Sequence, residues 1–467
     1  MKIYLETMGC QMNKLDSELV AGRLRAAGHE MVEAPAAADA VLYNTCSVRR
    51  HAEQKVFARL GEQCKRKRRG GGRPIVAVLG CMAQRLGAGL AEQFGGVDII
   101  CGPSELDRLV ELLERAAGDG GAQLAVAPPR ADRPRELDVQ ANRRLEALDL
   151  SRPAPAGRGA QAFVRVQRGC DNFCTYCVVP YVRGSEQSRD PAAIGQEVRK
   201  LAEAGVREIT LLGQAVNHYA HRDGGRTTGL AELLGMLQPI DGIQRIRFVT
   251  NYPGRFDRAI LTAMRELPKV CPYLHVPAQS GSDRILRAMN RRYTIAEYLE
   301  LLEESRRTVA GLVVAGDFIV GFPGESEQDH AASCALVRQA GYKNSFIFRY
   351  SPREGTVAER TLADDVPAEV KARRHRELLA VQHEVGLAHH LALVGTVQRV
   401  LVEGKSVRAD KQPRPARPGV VQLVGRTGGD HIVVFDGPPG LTGQFAEVRI
   451  TAATALALMG GVVQSRE

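Results

Sequence analysis

Apolar and polar positions along residues 1–117 fall into alternating blocks. Short runs of buried type at 3–7, 39–44, 74–79 and 97–100 are separated by helical patterns at about 13–27, 50–64, 83–94 and 103–116. Strands alternating with helices predict a doubly wound parallel sheet. Residues 118–160 change character. Gly118-Asp119-Gly120-Gly121, Pro128-Pro129 and Pro153-Ala154-Pro155-Ala156-Gly157 break the chain without apolar periodicity, which reads as a partly mobile linker.

From Gln161 a second series begins. Strands are expected at 162–166, 208–212, 245–250, 273–276, 316–321 and 345–350, with helices at 191–204, 230–237, 256–265, 295–306 and 327–339. Six such units predict a complete or incomplete βα barrel, with its chemistry on the loops after the strands. Asp364-Asp365-Val366-Pro367 opens a long helix running to about 393. Beyond Gly395 the period becomes two, and short strands at 397–402, 420–423, 431–435 and 444–450 predict a small β-barrel.

Composition narrows this picture little. With 467 residues, 44% hydrophobic and 25% charged, the chain is long enough for several cores and is not disordered overall. Lys+Arg 63 against Asp+Glu 53 leaves +10, which suits a polyanionic partner without naming one. The longest apolar stretch near the C-terminus, 452–463, is too short and too rich in Gly and Ala to span a bilayer. The first residues lack a signal-peptide apolar region, so a cytoplasmic protein without membrane attachment is expected. In that compartment the 10 cysteines point to metal or redox chemistry rather than a disulfide framework.

The sharpest pattern is Cys170-Asp171-Asn172-Phe173-Cys174-Thr175-Tyr176-Cys177, a C-x3-C-x2-C loop after the first barrel strand. Three thiolates so close can hold three irons of a cubane and leave the fourth open to a small chelating molecule. A structural zinc site would need a fourth ligand, and none lies nearby, since His218 and His221 are far along the chain. Cys10, Cys46 and Cys81 each stand just past the end of an N-terminal strand, where open parallel sheets place their ligand crevice. They are either a second cluster site or three separate buried thiols. Cys101 occupies a similar position and reads as a packed thiol, while Cys64, Cys271 and Cys334 read as inert.

Cys170–Cys177 with Pro180-Tyr181 and Arg183-Gly184 resembles the radical S-adenosylmethionine (SAM) enzymes. Gly9-Cys10-Gln11-Met12-Asn13, Asn44-Thr45-Cys46-Ser47 and Gly80-Cys81 narrow the resemblance to the methylthiotransferases. Thr210-Leu211-Leu212-Gly213-Gln214, Gln279-Ser280-Gly281-Ser282, the run from Asp317 to Glu325, and Ser351-Pro352-Arg353-Glu354-Gly355-Thr356 agree with it. The resemblance covers nearly the whole chain outside the linker. It departs at Asn251-Tyr252-Pro253, where the family usually has Ser-His-Pro, and at Ala215, where it often has Asn.

The resemblance implies an α/β chain of several parts. These are a methylthiotransferase domain over 1–117, a linker over 118–155, a radical SAM core with a partial (βα)6 barrel over 156–388, an RNA-binding TRAM barrel over 389–454, and a tail over 455–467. It implies two [4Fe-4S] clusters, an auxiliary one on Cys10, Cys46 and Cys81 and one on Cys170, Cys174 and Cys177 that chelates SAM. The use of three N-terminal cysteines argues against Cys101 as a ligand. Candidate SAM contacts are Tyr176, Gln214, Gln279, Ser280, Gly321 and Phe322, although the glycine turn at Gly321 has an equally good structural explanation. The implied reaction is methylthiolation at C2 of the N6-isopentenyladenosine next to the anticodon of a tRNA, by a 5′-deoxyadenosyl radical and a methylated cluster sulfur. Implied partners are the tRNA anticodon stem-loop, an electron donor such as flavodoxin or ferredoxin, and a sulfur and cluster supply system, with the chain a monomer. The alternatives are the same chemistry on threonylcarbamoyladenosine in tRNA or on a ribosomal protein aspartate, or a zinc-stapled RNA-binding protein without catalysis.

Basic residues outnumber acidic ones across 391–450, which suits an RNA backbone, and the stretch 405–417 reads as a mobile arm. Lys65-Arg66-Lys67-Arg68-Arg69 reads either as a phosphate contact or as cations at a helix C-terminus. His375, His383 and His390 read as one solvated helix face.

Overall fold

The computed structural model describes residues 1–47, 50–69, 73–118, 121–152, 159–407 and 419–463. The Gly70–Gly72 loop, the Pro153–Gly157 run and nearly all of the 405–417 arm therefore lie outside the described residues. The N-terminal part is a six-stranded, all-parallel sheet. Its strands lie in the order Glu30–Met31, Lys2–Met8, Ala40–Thr45, Ile75–Gly80, Ile99–Cys101, Gln123–Ala125. Period two and two-sided burial explain the continuous apolar runs. Ala40, Leu42, Ala77 and Leu79 pack with Leu15 and Leu19 of the helix Gln11–Ala26. Val41, Tyr43, Val76 and Val78 pack with Val56 and Leu60 of the helix Arg50–Arg69. The helix expected over 83–94 is two helices, Cys81–Leu86 and Gly89–Phe94, because Gly87 between them has φ +50°.

The linker expectation needs correction. Gln123–Ala125 is the sixth strand of the N-terminal sheet, and Arg135–Leu150 is a 16-residue helix. Its apolar stripe is only Ala141, Leu145 and Leu148, and its other buried groups are the carboxylates Asp138 and Asp149. A helix buried by its acids against arginines from elsewhere shows little hydrophobic periodicity.

Six parallel strands form the second part: Gln161–Arg165, Glu208–Leu212, Arg245–Phe248, Tyr273–His275, Val313–Val320 and Asn344–Arg349. They lie in two three-stranded sheets. The sheets adjoin where the Asn251 N–H donates to the His275 carbonyl at 3.0 Å. The first and sixth strands do not pair, so the barrel is open. Val164, Ile209, Leu211, Ile246, Phe248 and Phe318 pack against the barrel's own helices. The alternate positions Leu212, Val249, Tyr273, Val313 and Ala315 join the core of the N-terminal sheet and its helix Gln11–Ala26. The N-terminal part thus covers the barrel's inner face.

After the helix Ala368–Leu391 comes a closed five-stranded barrel in the order Val397–Lys405, Val421–Arg426, Ile432–Gly437, Leu458–Val462, Phe445–Ala453. Leu458–Val462 corrects the expected tail over 455–467, since it closes the barrel by pairing with two other strands. Its glycines hid it. A Cβ on Gly460 would lie 2.3 Å from the Arg449 carbonyl, so the close pairing excludes the side chains by which a strand is recognised.

The small barrel caps the strand N-termini of the large one. Arg245 donates to the Arg426 carbonyl (2.9 Å), Arg247 to those of Gly428 (2.9 Å) and Thr427 (3.1 Å), and Lys343 to Asp430 Oδ2 (3.0 Å). The histidine expectation fails in part. His383 is exposed, but His390 is buried and bonded to the Thr454 carbonyl (2.7 Å), and His375 meets the Ile347 carbonyl (3.0 Å).

His389 and His431 stack at the junction, with their Nε2 atoms 3.0 Å apart. Burial holds His389 down to about 4, helped by His390, Lys343 and Arg306. Burial takes His431 down to about 2, with Lys343 and the other two histidines adding and Asp430 opposing. Both are neutral when folded, whereas unfolded histidine titrates near pH 6.5. The unfolded chain therefore binds more protons below that pH, and the stability from this junction is complete above about 6.5 and lost as pH falls toward 4. The thermal midpoint is expected to drop between pH 6.5 and 5, with a shallower drop in His431→Phe. Equal slopes in the two proteins contradict this account.

Candidate active site

The strand order decides which cysteines meet. Lys2–Met8, Ala40–Thr45 and Ile75–Gly80 are neighbours, and Cys10, Cys46 and Cys81 follow their carboxyl ends. The chain order reverses beside the first strand, which is where such sheets hold ligands. A buried asparagine clamp sets the loops. Asn13 Nδ2 donates to Asn44 Oδ1 (3.0 Å) and the Thr45 carbonyl (3.1 Å), and Asn44 Nδ2 donates to the Asn13 carbonyl (2.9 Å) and Ser17 Oγ (2.9 Å). Two glycines leave room for it. A Cβ on Gly9 would stand 2.5 Å from Asn13 Oδ1, and one on Gly80, at φ +88°, 2.5 Å from Asn44 Oδ1. A hydrogen bond with Cys46 holds the Cys10 thiol down to about 6 against burial, aided by the Arg183 charge.

The second thiol set lies in the loop after the first barrel strand. Gly169, at φ +68°, lets it turn where a Cβ would sit 2.1 Å from the Ser185 carbonyl. The Thr175 N–H donates to the Met289 carbonyl (3.0 Å), Asn290 Nδ2 to the Phe173 carbonyl (2.9 Å) and the Ala358 N–H to the Thr175 carbonyl (2.8 Å). Asn172 Nδ2 approaches Cys170 Sγ (3.3 Å), and Arg291 Nη1 approaches Cys174 Sγ (3.6 Å). Burial pushes Cys170 up to about 11, and burial with Cys174 and Cys170 beside it pushes Cys177 up further.

The segment after Cys177 links the two sets. Cys81 packs on Val178 and Val182, directly after Cys177. Arg183 Nε donates to Cys81 Sγ (3.2 Å) and its Nη2 to Asp16 Oδ2 (2.9 Å), so one guanidinium from the barrel grips the N-terminal part. Behind it Asp16 and Asp149 pair with Arg165 (2.5 and 2.6 Å), and Asp149 also pairs with Arg168 and Arg189. Buried ion pairs recover little net stability after desolvation, so this network sets the register of the two parts more than it strengthens them.

The donor chemistry fits two clusters. Each set offers three thiols, and each has a guanidinium at one sulfur. Among the described residues neither set has a fourth thiol or imidazole identified beside it, as a closed structural zinc site would need. Cys101 is fully buried beside the Glu105 carbonyl (3.3 Å), with its thiol pushed far up by burial, as a packed thiol should be.

The expected SAM contacts diverge. Gln214 is half-buried after the second strand. Gln279 bridges strands through its backbone at φ +71°, donating to the Asp317 carbonyl (2.8 Å). Ser280 is buried and accepts from the Ser282 N–H (3.2 Å). Tyr176 meets Phe322 edge-on at 6.5 Å. Phe322 is wholly buried with Ile285, Met289 and Tyr350, and a Cβ on Gly321 would strike the Lys371 stem at 2.3 Å, so packing accounts for both positions.

Arg183 and Asp317 lie in motifs of the resemblance that gave them no role, and Arg291 and His275, which pairs with Asp317 (3.2 Å), carried no sequence signal. The Tyr252 departure serves Arg291. The guanidinium lies 4.5 Å over that ring, and the Tyr252 hydroxyl accepts from the Arg292 N–H (2.9 Å). In the basic run, Arg66 donates to the Pro35 and Ala36 carbonyls, Lys67 pairs with Asp98, and Arg68 reaches the Phe94 carbonyl, so these three are held by their own domain.

Three family models match the chain: Uncharacterized protein family UPF0004 over 2–102, the Radical SAM superfamily over 164–337 and the TRAM domain over 391–463. A tRNA-2-methylthio-N(6)-dimethylallyladenosine synthase of Rhodopirellula baltica is 46% identical over 98% of this chain and 95% of its own. Those of Alkalilimnicola ehrlichii and Geobacter metallireducens are each 41% identical over 98% of this chain and 97% of theirs. Among solved structures, the radical S-adenosylmethionine methyltransferase TsrM of Kitasatospora setae, with cobalamin and a [4Fe-4S] cluster bound, superposes with TM-score 0.52 at 14% identity. The match covers 90% of this chain and 77% of that one, a likeness of fold.

Proposed function

The chain belongs to the family of the tRNA-2-methylthio-N(6)-dimethylallyladenosine synthases, and from that membership we propose that it is a radical SAM methylthiotransferase acting at C2 of N6-isopentenyladenosine beside the anticodon of tRNA. The observation that supports this reading is the grip of Arg183 on Cys81, with Cys81 packed on Val178 and Val182 directly after Cys177, which ties the loop of one thiol set to the other.

In this reading Cys170, Cys174 and Cys177 hold one [4Fe-4S] cluster and Cys10, Cys46 and Cys81 the auxiliary one. When bound, the clusters and SAM supply a carbon radical able to take hydrogen from an unactivated C–H bond and a methylated sulfur to replace it. The protein's own part is to position and shelter. The adenine C2–H is not acidic, so no side chain is assigned as its base. Arg291 and Arg183 set positive charge against Cys174 and Cys81. Tyr176, Gln214, Gln279 and Ser280 are the residues proposed to contact SAM. The clamp of Asn13 and Asn44 keeps the Cys10 and Cys46 loops in register.

The closed C-terminal barrel would hold the tRNA backbone. A flavodoxin or ferredoxin would deliver electrons, a sulfur and cluster supply system would maintain the auxiliary site, and the chain would act as a monomer in the cytoplasm. Among the described residues no helix is long and apolar enough to cross a membrane. Nucleoside mass spectrometry of a deletion strain tests the reading. Loss of the methylthio-isopentenyl product, restored by the gene, is expected. Loss of a different modification rejects it, and so does an anaerobic preparation that carries zinc in place of about eight irons.

A further inference from the structure

Behind the two thiol sets lies a cavity of about 30 Å³, between the N-terminal part, the helix Arg135–Leu150 and the barrel. Its charged and hydroxyl lining includes Ser104, Arg133, Asp138, Arg165, Arg168 and Arg183, four guanidiniums against one carboxylate. Arg133 Nε and Nη1, Arg165 Nε, Arg168 Nε and Ser104 Oγ are buried without a hydrogen-bond partner. Their residues are 7%, 2%, 8% and 8% exposed. Such orphans are rare in folded proteins and mark a missing partner.

The neighbouring carboxylates are engaged elsewhere, although Asp138 Oδ1 has only its ion pair with Arg133 and no hydrogen bond. Asp138 accepts from Arg130 Nη1 (3.0 Å) and from the Ser185 N–H (2.7 Å) and hydroxyl (2.6 Å), besides its ion pair with Arg133. Asp149 and Asp16 are each shared by at least two arginines. Burial pushes the Arg133 guanidinium down, and Asp138 offsets that only in part. A water needs roughly 10–15 Å³ by the same measure, so the cavity has room for a small ion. Water could satisfy the N–H groups, but it brings no charge to balance the guanidiniums.

We propose that this cavity is a binding site for a small inorganic monoanion, halide or hydrosulfide, held by Arg133, Arg165, Arg168 and Ser104. Its place explains why hydrosulfide belongs among the occupants. Arg183, on its wall, donates to Cys81 Sγ, and Arg168 stands two residues before Cys170. That part of the inference rests on the proposed function, in which each product carries away one sulfur that must be replaced at the sulfide level. The anion site itself does not.

The test uses the full chain under anaerobic conditions with gluconate as background anion. Sodium chloride, bromide and hydrosulfide are titrated, with thermal midpoint and calorimetric heat as readings. A saturable rise is expected, with apparent affinity at least about tenfold weaker in Arg133→Gln and partly restored in Arg133→Lys. Asp138 keeps Arg130 and Ser185 in these variants. Should Arg133→Gln not fold, Ser104→Ala carries the same comparison. A linear, unsaturated salt effect, equal in every variant, overturns the site, as does a bromide-soaked crystal with water alone in the cavity. Competition of hydrosulfide against bromide supports hydrosulfide as the occupant. Bromide binding that hydrosulfide leaves untouched removes hydrosulfide and assigns the site to halide. None of these readings requires turnover, so the anion site and the proposed reaction can fail separately.

Discussion

Cys174→Ala is expected to bring both SAM cleavage, measured as 5′-deoxyadenosine, and methylthiolated nucleoside to background. A C–H bond on an adenine ring has no acidic proton, so no residue of the barrel can replace radical chemistry by acid–base catalysis. The loop itself should survive the change. Its turn is held by bonds from Thr175, Asn290 and Ala358 that use no sulfur, and Cys174 is a small, buried side chain. Removal of the thiol costs on the order of 1 kcal/mol of packing. Circular dichroism and thermal midpoint should therefore stay near those of the parent protein while activity vanishes. Retained 5′-deoxyadenosine formation in a folded Cys174→Ala protein would show that this thiol is not required for SAM cleavage.

Cys46→Ala is expected to separate what Cys174→Ala removes together. Reductive SAM cleavage should remain measurable, while methylthiolated product falls to the detection limit. Cys46 sits in the other set, after the strand Ala40–Thr45, and its loop is pinned by the Asn13–Asn44 clamp and by Thr45 Oγ1 donating to the Leu79 carbonyl (2.9 Å). The Cys170 loop does not depend on it. Iron content should fall by about half, since one of two four-iron groups loses a ligand. Equal loss of SAM cleavage in both variants would count against separate roles for the two sets.

Much of the architecture was legible because burial leaves a local imprint. Lys2–Met8, Ala40–Thr45 and the barrel strand Glu208–Leu212 lie within a residue or so of their expected bounds, since each is an apolar run between turn residues. The helix Arg135–Leu150 and the strand Leu458–Val462 escaped notice for opposite reasons. The helix is buried largely through Asp138 and Asp149, and the strand through glycines whose missing Cβ permits close approach. His390 was misread because its partner, the Thr454 carbonyl, lies 64 residues away.

The amino-acid order by itself determined most of the secondary elements, the C-x3-C-x2-C spacing and the presence of a cysteine past the end of three N-terminal strands. Those features depend on neighbours within a few residues, where periodicity and turn chemistry act. Only the tertiary structure decided that these three strands are adjacent, that Arg183 crosses from the barrel to Cys81, and that four arginines surround a cavity behind both sets. Such pairings depend on desolvation and charge between groups tens to more than a hundred residues apart, and nothing in the local pattern of either partner records the other.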